Sequence, residues 1–171
     1  MSNFQKDFGL EVKWRGPIKE ALAAHFQCDP EDFFHNVHLD LFGAGDLICA
    51  GTSPRLRIAL RVRRSISAAK YTHQFTLRLD RPSGRKTEIE KLKEVIATGE
   101  RVVGFYGIED ATGTGFVVSN LIDLNSLVIS GEIDRPCDVR ENWDGSSNFN
   151  AYLLTKVPHS VIVVKSLGGE Q

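Results

Sequence analysis

Arginines alternate with aliphatic side chains in the segment "RLRIALRVRR", which runs from Arg55 to Arg64. One side of this alternation carries Leu56, Ile58, Leu60 and Val62, and the other carries Arg55, Arg57, Arg61 and Arg63, with Ala59 as the gap in the arginine row. Alternation with a period of two predicts a half-buried β-strand. Arginine side chains on one face bind phosphate groups, so the row is a candidate contact for a polyanion.

Positive charge is concentrated around that strand. Residues 55–93 hold 12 Lys+Arg and 3 Asp+Glu, whereas the whole chain of 171 residues holds 21 and 22, so the window carries +9 and the remainder −10. A basic block attracts polyanions, and nucleic acid, here expected to be DNA, is the commonest such partner. The alternative is that the arginines keep an exposed sheet face soluble and pair with acidic residues elsewhere in the fold.

The elements that would position these residues follow from apolar periodicity and turn residues. A helix is predicted from about residue 17 to 27, with Pro17 in its first turn, and a short strand at "DLICA" precedes the arginine strand. "HQFTLRLD" predicts a further strand, and "TEIEKLKEVIATG" predicts a helix with a Thr87–Glu90 capping box and Gly99 at its end. Two more strands, "RVVGFYGI" and "GFVVSNLIDL", flank a predicted hairpin turn.

This order predicts an α/β or α+β fold with a mixed central sheet flanked by helices. Because a helix joins the strand at Gln74 to the strand ending near Ile108, a parallel βαβ unit is expected between them. Residues 1–171 are expected to form a single domain, with a core at about 17–125 and a C-terminal extension at 126–171.

Helix, antiparallel strands, helix, strand is also the core order of the PD-(D/E)XK nuclease superfamily, which this chain resembles. In that superfamily an Asp begins one strand, the next strand carries an acid and a lysine two residues apart, and the carboxylates hold a divalent metal. "AGDLICAG" resembles the first element and places Asp46 at the metal-ligand position. The matching place for acid-x-Lys holds Arg61-Val62-Arg63, so the motif is incomplete, because a protonated guanidinium cannot ligate a cation.

The resemblance implies a restriction-endonuclease-like core, and Mg²⁺-dependent cleavage if another residue supplies the missing carboxylate. Glu88, in the first turn of the helix after the basic strands, is the best candidate, since the capping box uses Glu90. Asp46, Glu88 and Lys91 are then the expected catalytic residues, with Asp46 and Glu88 as Mg²⁺ ligands. The other interpretation is that the helix dipole favours an acid at this position, where it pairs with Lys91 or Arg85.

Residues from about 46 to 150 also resemble phage and mobile-element proteins with nuclease-like folds. The resemblance rests on the segments "QFTLRLDRPSGRKTEIEKL", "FYGI" and "NWDGSSNF". The expected nucleic-acid contacts are Arg57, Arg61, Arg63, Arg78 and Arg85.

The histidines of "HNVHLD" are a weaker metal-site candidate. His35, His38 and Asp40 have no HExxH spacing and no cysteine partner, so we expect loop or strand histidines there.

The cysteines and the hydropathy pattern indicate an intracellular protein. The cysteines are Cys28, Cys49 and Cys137. Their odd number and wide spacing predict reduced thiols and favour neither a disulfide framework nor a zinc cluster. The sequence has no apolar run of transmembrane length and no apolar signal segment in "MSNFQKDFGLEVKWRG", so a cytoplasmic location is expected.

Two function classes follow. The first is a metal-dependent nuclease or nuclease-like DNA-processing protein, and the presence of Asp46, Glu88 and Lys91 as a set favours it. The second is a noncatalytic protein that binds nucleic acid or a protein through the arginine face, and Arg61-Val62-Arg63 favours it. Two carboxylates more than roughly 8 Å apart could not share a metal lying about 2.0–2.6 Å from each.

Overall fold

The structure, a computed structural model, describes residues 3–35, 46–64, 71–79, 86–141 and 148–167. The α-helices within these residues are α1 (Asn3–Phe26), α2 (Glu88–Ala97) and α3 (Leu124–Ile129). The strands are β1 (Phe33–His35), β2 (Leu47–Cys49), β3 (Leu56–Arg64), β4 (Gln74–Arg78), β5 (Arg101–Glu109), β6 (Phe116–Asp123), β7 (Asp138–Glu141), β8 (Asn148–Leu153) and β9 (His159–Val161). Short 3₁₀ turns cover Pro30–Asp32, Glu132–Asp134 and Leu154–Lys156. No helix of the described residues is long and apolar enough to cross a membrane.

The strands form two sheets. The larger has six strands in the order β1-β2-β3-β5-β6-β9, and the smaller has the order β4-β8-β7. Strands β3 and β5 pair in parallel, with Leu56 opposite Arg101, whereas β2 and β6 flank them in antiparallel pairing. The predicted α/β class with a mixed central sheet and flanking helices is therefore confirmed.

The expected parallel unit between Gln74 and Ile108 is wrong, because β4 does not pair with β5. Strand β4 pairs antiparallel with β8 in the smaller sheet, and the parallel partner of β5 is β3. The connection between β3 and β5 passes through β4 and α2. A connection that contains a helix does join two parallel strands, but these are β3 and β5. The partner of β4 in the smaller sheet, β8, lies about 70 residues later in the chain, and local periodicity cannot indicate a pairing over that distance.

Helix α1 is longer than predicted, and it contains Pro17 in its interior. The buried positions Leu10, Trp14, Ile18 and Leu22 recur every four residues and begin well before the proline. Burial of this stripe offsets the missing proline N–H, which costs the helix one intrahelical hydrogen bond. The helix ends where Gln27 takes a left-handed conformation with φ 56°.

The aliphatic side of β3 forms the first hydrophobic core with α1. Leu56, Ile58, Leu60 and Val62 are all buried there, as the alternation predicts. Side chains of β5 and β6 complete this core from the same face of the larger sheet.

The second hydrophobic core lies on the opposite face of the larger sheet. It consists of apolar residues of α2, α3, β4 and β8 that pack against β5 and β6, and Ala59 of the arginine row contacts it. The segment after residue 125 contributes β7 and β8 to the smaller sheet and β9 to the larger one.

The predicted capping box at the start of α2 is present. Thr87 Oγ1 accepts a hydrogen bond from the Glu90 backbone N–H at 3.1 Å, and Glu90 Oε2 accepts one from the Thr87 N–H at 2.6 Å. After the helix, Gly99 has φ +85°, a left-handed conformation that favours glycine. Because Glu90 is used at the helix terminus, Glu88 is left to contact other elements.

A buried carboxylate joins α1 to the β5–β6 hairpin. Glu109 lies at a β-bulge, and its Oε1 accepts hydrogen bonds from Trp14 Nε1 at 2.9 Å and from Lys13 Nζ at 2.6 Å. Lys13 also donates to the Gly113 carbonyl in the turn, at 2.6 Å. The segment "GIEDATGTGF" is thus the predicted hairpin turn.

Candidate nucleic-acid interface

The arginine side of β3 faces the second core and the smaller sheet. Arg57 is buried with 8% of its surface exposed, and Arg61 and Arg63 are half-buried. The alternation therefore predicts which residues share a side, but the side that carries arginine is largely covered.

Arg57 forms a two-point ion pair with Glu100, which precedes β5. Its Nε lies 2.5 Å from Glu100 Oε2, and its Nη2 lies 2.7 Å from Oε1. These hydrogen bonds lower the pKa of Glu100, against the effect of its partial burial. The pair anchors the start of β5 to β3, so in this structure the Arg57 charge is used within the fold.

Arg61 forms an ion pair with Glu88 in the first turn of α2. One guanidinium nitrogen of Arg61 lies 2.7 and 2.8 Å from the two carboxylate oxygens. The backbone N–H of Arg78 donates a further hydrogen bond to Glu88 Oε2 at 2.9 Å. Burial raises the pKa of Glu88, but the Arg61 charge and the Arg78 N–H outweigh it, so the pKa is lowered.

Asp46 and Glu88 act on the same guanidinium. The pKa of Arg61 is raised, first by the charge of Glu88 and then, against burial, by the charges of Glu11 and Asp46. Asp46 also accepts a hydrogen bond from the Leu60 N–H through its carboxylate. The charges of both expected metal ligands thus act on Arg61, and Glu88 is in direct contact with it.

The remaining expected site residues do not all fall within the described chain. Lys91 is buried on α2, with 6% of its surface exposed. Arg85, His38 and Asp40 lie outside the described residues, and His35 ends β1. In the ranges that the structure covers, no group of three His, Cys, Asp or Glu side chains could hold a metal ion.

The carboxylate oxygens around Arg61 are not arranged as ligands of the expected Mg²⁺ site. Mg²⁺ requires oxygen ligands in near-octahedral geometry, and both oxygens of Glu88 already accept hydrogen bonds from Arg61. A divalent cation at this position would also be repelled by the guanidinium. The Asp46–Glu88 site remains a prediction that requires these side chains to exchange their present partners.

The charges of three arginines from the two sheets act on the phenol of Tyr106 on β5. Burial raises the pKa of Tyr106, and the charges of Arg63, Arg61 and Arg140 act in the opposite direction. Arg140 belongs to β7 of the smaller sheet. No pattern in the sequence indicates Arg140 or Tyr106 as site residues, because their relation depends on the placement of β7 in the smaller sheet.

The smaller sheet adds a row of alternating cationic and aromatic side chains. Phe149 lies opposite Arg78 on one neighbouring strand and opposite Arg140 on the other. The guanidinium of Arg78 lies 5.6 Å from the Phe149 ring centroid, and that of Arg140 lies 3.9 Å from the Tyr71 ring centroid. Such contacts hold guanidinium groups flat against aromatic faces. We call Arg63, Arg78, Arg140 and Tyr71 the arginine surface.

A small cavity lies between the two sheets beside the Arg61–Glu88 ion pair. It encloses about 20 Å³, and its polar lining includes Arg61, Thr76, Glu88 and Tyr106. This volume corresponds to roughly one water molecule, so it cannot enclose a nucleotide. A ligand of this region must therefore bind on the surface.

Comparisons with protein-family models, curated proteins and solved structures found no match for this chain. The restriction-endonuclease-like core and the phage or mobile-element relationship therefore stay predictions.

Proposed function

We propose that this protein binds nucleic acid without cleaving it, and that the arginine surface contacts the phosphate backbone. The observation that carries the proposal is the placement of Arg78 and Arg140 on either side of Phe149 in the smaller sheet, with each guanidinium group against an aromatic ring. Guanidinium groups held side by side concentrate positive potential in one region, and that potential attracts phosphates.

The chemistry of the surface suits a flexible polyanion. Arginine donates planar N–H groups to phosphate oxygens, and the rings of Phe149 and Tyr71 hold the guanidinium groups of Arg78 and Arg140 in place. Binding of this kind depends on charge and shape, so we expect strong salt dependence and weak sequence preference.

Some bases of residues 55–93 form ion pairs within the fold. Among the described residues of this window, ion pairs with carboxylates include Arg57 with Glu100, Arg61 with Glu88, Lys86 with Glu94 and Lys93 with Asp134. The alternative in which arginines pair within the fold thus accounts for part of the block. We assign the phosphate contacts to Arg63, Arg78 and Arg140, and Arg140 then exchanges its ion pair with the exposed Asp138, at 3.1 Å, for phosphate.

The test measures the salt dependence of binding to labelled single-stranded and duplex DNA by fluorescence anisotropy. The variant Arg63→Ala/Arg140→Ala should reduce the slope of log affinity against log salt by about 1.4 for single strands and about 1.8 for duplex, if each arginine neutralises one phosphate. The matched control is Lys86→Ala/Lys93→Ala, which removes the same charge from two lysines outside the arginine surface and should keep the slope.

Two further experiments are needed. One asks whether the charge of the arginines or a folding defect causes the change in slope, and the other asks whether the protein cleaves the DNA that it binds. Arg63→Lys/Arg140→Lys should keep most of the slope, since lysine retains the charge. The proposal would be overturned if the salt-dependence slope fell equally in the arginine and lysine double variants, or if the wild type did not bind DNA. Mg²⁺-dependent cleavage that disappears in both Asp46→Ala and Glu88→Ala would establish the nuclease function instead.

A further inference from the structure

Two cysteine thiols face each other where α1 ends against the larger sheet. The Sγ atoms of Cys28 and Cys49 lie 3.7 Å apart. Cys49 is the last residue of β2 and is buried, whereas Cys28 is partly exposed just beyond α1. Residues 21 apart in sequence are thus brought into direct sulfur–sulfur contact.

The backbone holds the two cysteines in place from both sides. The Cys28 N–H donates to the Ala23 carbonyl at 3.1 Å, which fixes it to the last turn of α1. Cys49 lies opposite Phe33 in the β1–β2 pair, and the neighbouring Ala50 N–H donates to the Asp32 carbonyl at 3.0 Å. The thiol contact is therefore a consequence of the fold on both sides.

We propose that Cys28 and Cys49 form a reversible disulfide that ties the end of α1 to β2. The oxidant we name is a small-molecule disulfide such as oxidised glutathione. The more accessible Cys28 attacks one of its sulfurs as a thiolate and releases one reduced thiol. Cys49 then attacks Cys28 in the mixed disulfide and releases the second reduced thiol, so two protein thiols are oxidised and one small disulfide is reduced.

Geometry permits the bond with a small movement. A disulfide requires a sulfur–sulfur separation of about 2.05 Å, so the two Sγ atoms must approach by less than about 2 Å. Rotation of cysteine side chains provides shifts of this size without a change in the strand pairing.

The surroundings of Cys28 make oxidation slow at neutral pH. Burial, the hydrogen bond to Cys49 and the charges of Cys49, Asp32 and Asp29 raise the pKa of Cys28 to about 11. The reacting species is the thiolate, so only a small fraction of Cys28 reacts at any moment. The pair therefore stays reduced until an oxidant is abundant or persistent.

The experiment uses the Cys137→Ser variant, which removes the exposed third thiol. The folded protein is incubated with oxidised glutathione, and the remaining thiols are alkylated before digestion with trypsin. Cys28 and Cys49 lie in one tryptic peptide, because no Lys or Arg occurs between Lys19 and Arg55. We expect this peptide to lose two hydrogens, to resist alkylation and to recover both thiols after reduction.

A stability measurement gives an independent readout. The disulfide closes a loop of about 21 residues, so the oxidised protein should melt roughly 6–12 °C higher than the reduced one. Cys28→Ser and Cys49→Ser, each combined with Cys137→Ser, should show no such rise. Two alkylated cysteines after prolonged oxidation of the folded protein, or a stable glutathione adduct without ring closure, would overturn the proposal. The inference rests on the thiol pair alone and is independent of nucleic-acid binding.

Discussion

Glu88 is a carboxylate held by partners from two strands, Arg61 on β3 and the Arg78 N–H on β4. Its side chain is 21% exposed and that of Arg61 is 24% exposed, so water screens the pair only in part. Loss of the carboxylate leaves a partly buried guanidinium without its principal counter-charge, which is costlier than loss of a surface ion pair.

We therefore predict that Glu88→Gln lowers the free energy of unfolding at pH 7 by about 2 kcal/mol. The pKa of Glu88 is lower in the folded protein than the usual value of a glutamate carboxyl. Its stabilisation is thus fully present above that value and is lost as pH falls through the lowered folded pKa. Urea unfolding between pH 7 and pH 3 should show a shallower acid loss in Glu88→Gln than in the wild type.

The matched control is Glu94→Gln, which removes a carboxylate from the same helix. Glu94 pairs with Lys86 at 2.6 Å, but both side chains are more than half exposed. Such a pair contributes about 0–1 kcal/mol, so the free energy of unfolding of Glu94→Gln should be close to that of the wild type. Equal effects of the two substitutions would contradict the role assigned to Glu88.

At the scale of residues, the sequence predicts which side chains share a face of β3 but not which residues form ion pairs with its arginines. The alternation from Arg55 to Arg64 shows which residues share a face, because that information is local. The partners of Arg57 and Arg61 lie 43 and 27 residues further along the chain. Glu100 reaches Arg57 because β5 returns beside β3, and Glu88 reaches Arg61 from the first turn of α2. No short-range pattern encodes either placement.

At the scale of elements, β5 contains two glycines in different surroundings. A Cβ on Gly107 would lie 2.7 Å from a ring carbon of Phe116 and 2.9 Å from one of Phe105, closer than real Cβ contacts. A Cβ on Gly104 would lie 3.5 Å from Leu124, which is ordinary contact. Gly107 is therefore required for the close approach of two aromatic rings, whereas Gly104 is not.

We predict that Gly107→Ala lowers stability by about 1–3 kcal/mol through overpacking of the first core. Gly104→Ala, in the same strand, should change stability by less than about 1 kcal/mol or increase it, since alanine restricts the unfolded chain. Thermal unfolding of the two variants provides the comparison. A larger loss in Gly104→Ala would contradict the packing described for β5.

Elements with strong local signals are predicted well, and pairings are not. The capping box of α2 and the β5–β6 hairpin are confirmed because their determinants lie within a few residues of each other. The predicted start of α1 at about residue 17 is too late, because Pro17 resembles a first-turn proline although the apolar stripe begins before it. The candidate site was predicted only in part, since Arg140 reaches it from a sheet that no local pattern indicates.

At the scale of the whole molecule, the two hydrophobic cores share one sheet. Strands β5 and β6 contribute side chains to both of them, such as Phe105 to the first and Tyr106 to the second. Disruption of one core therefore disturbs strands that the other core needs. We expect one cooperative unfolding transition.

The variant Leu92→Ala tests this expectation, because Leu92 is fully buried in the second core. It should lower stability by about 2–5 kcal/mol. In a Trp143→Phe background, Trp14 is the single remaining tryptophan and reports on the first core. Midpoints from Trp14 fluorescence and from far-UV circular dichroism should shift together in urea. Separate midpoints would show that the cores unfold independently.

The hydrogen bonds from α1 to Glu109 also determine where the helix lies along the β5–β6 hairpin. Lys13 and Trp14 are consecutive, and both donate to the same oxygen of one buried carboxylate. A slip of one residue would turn the helix by about 100° and move it by about 1.5 Å, which carries Trp14 away from its acceptor. Apolar stripes alone tolerate sliding, whereas a buried carboxylate that loses its donors is penalised. Glu109 thus selects one axial position and one rotation of α1 among the several that hydrophobic contacts alone would allow.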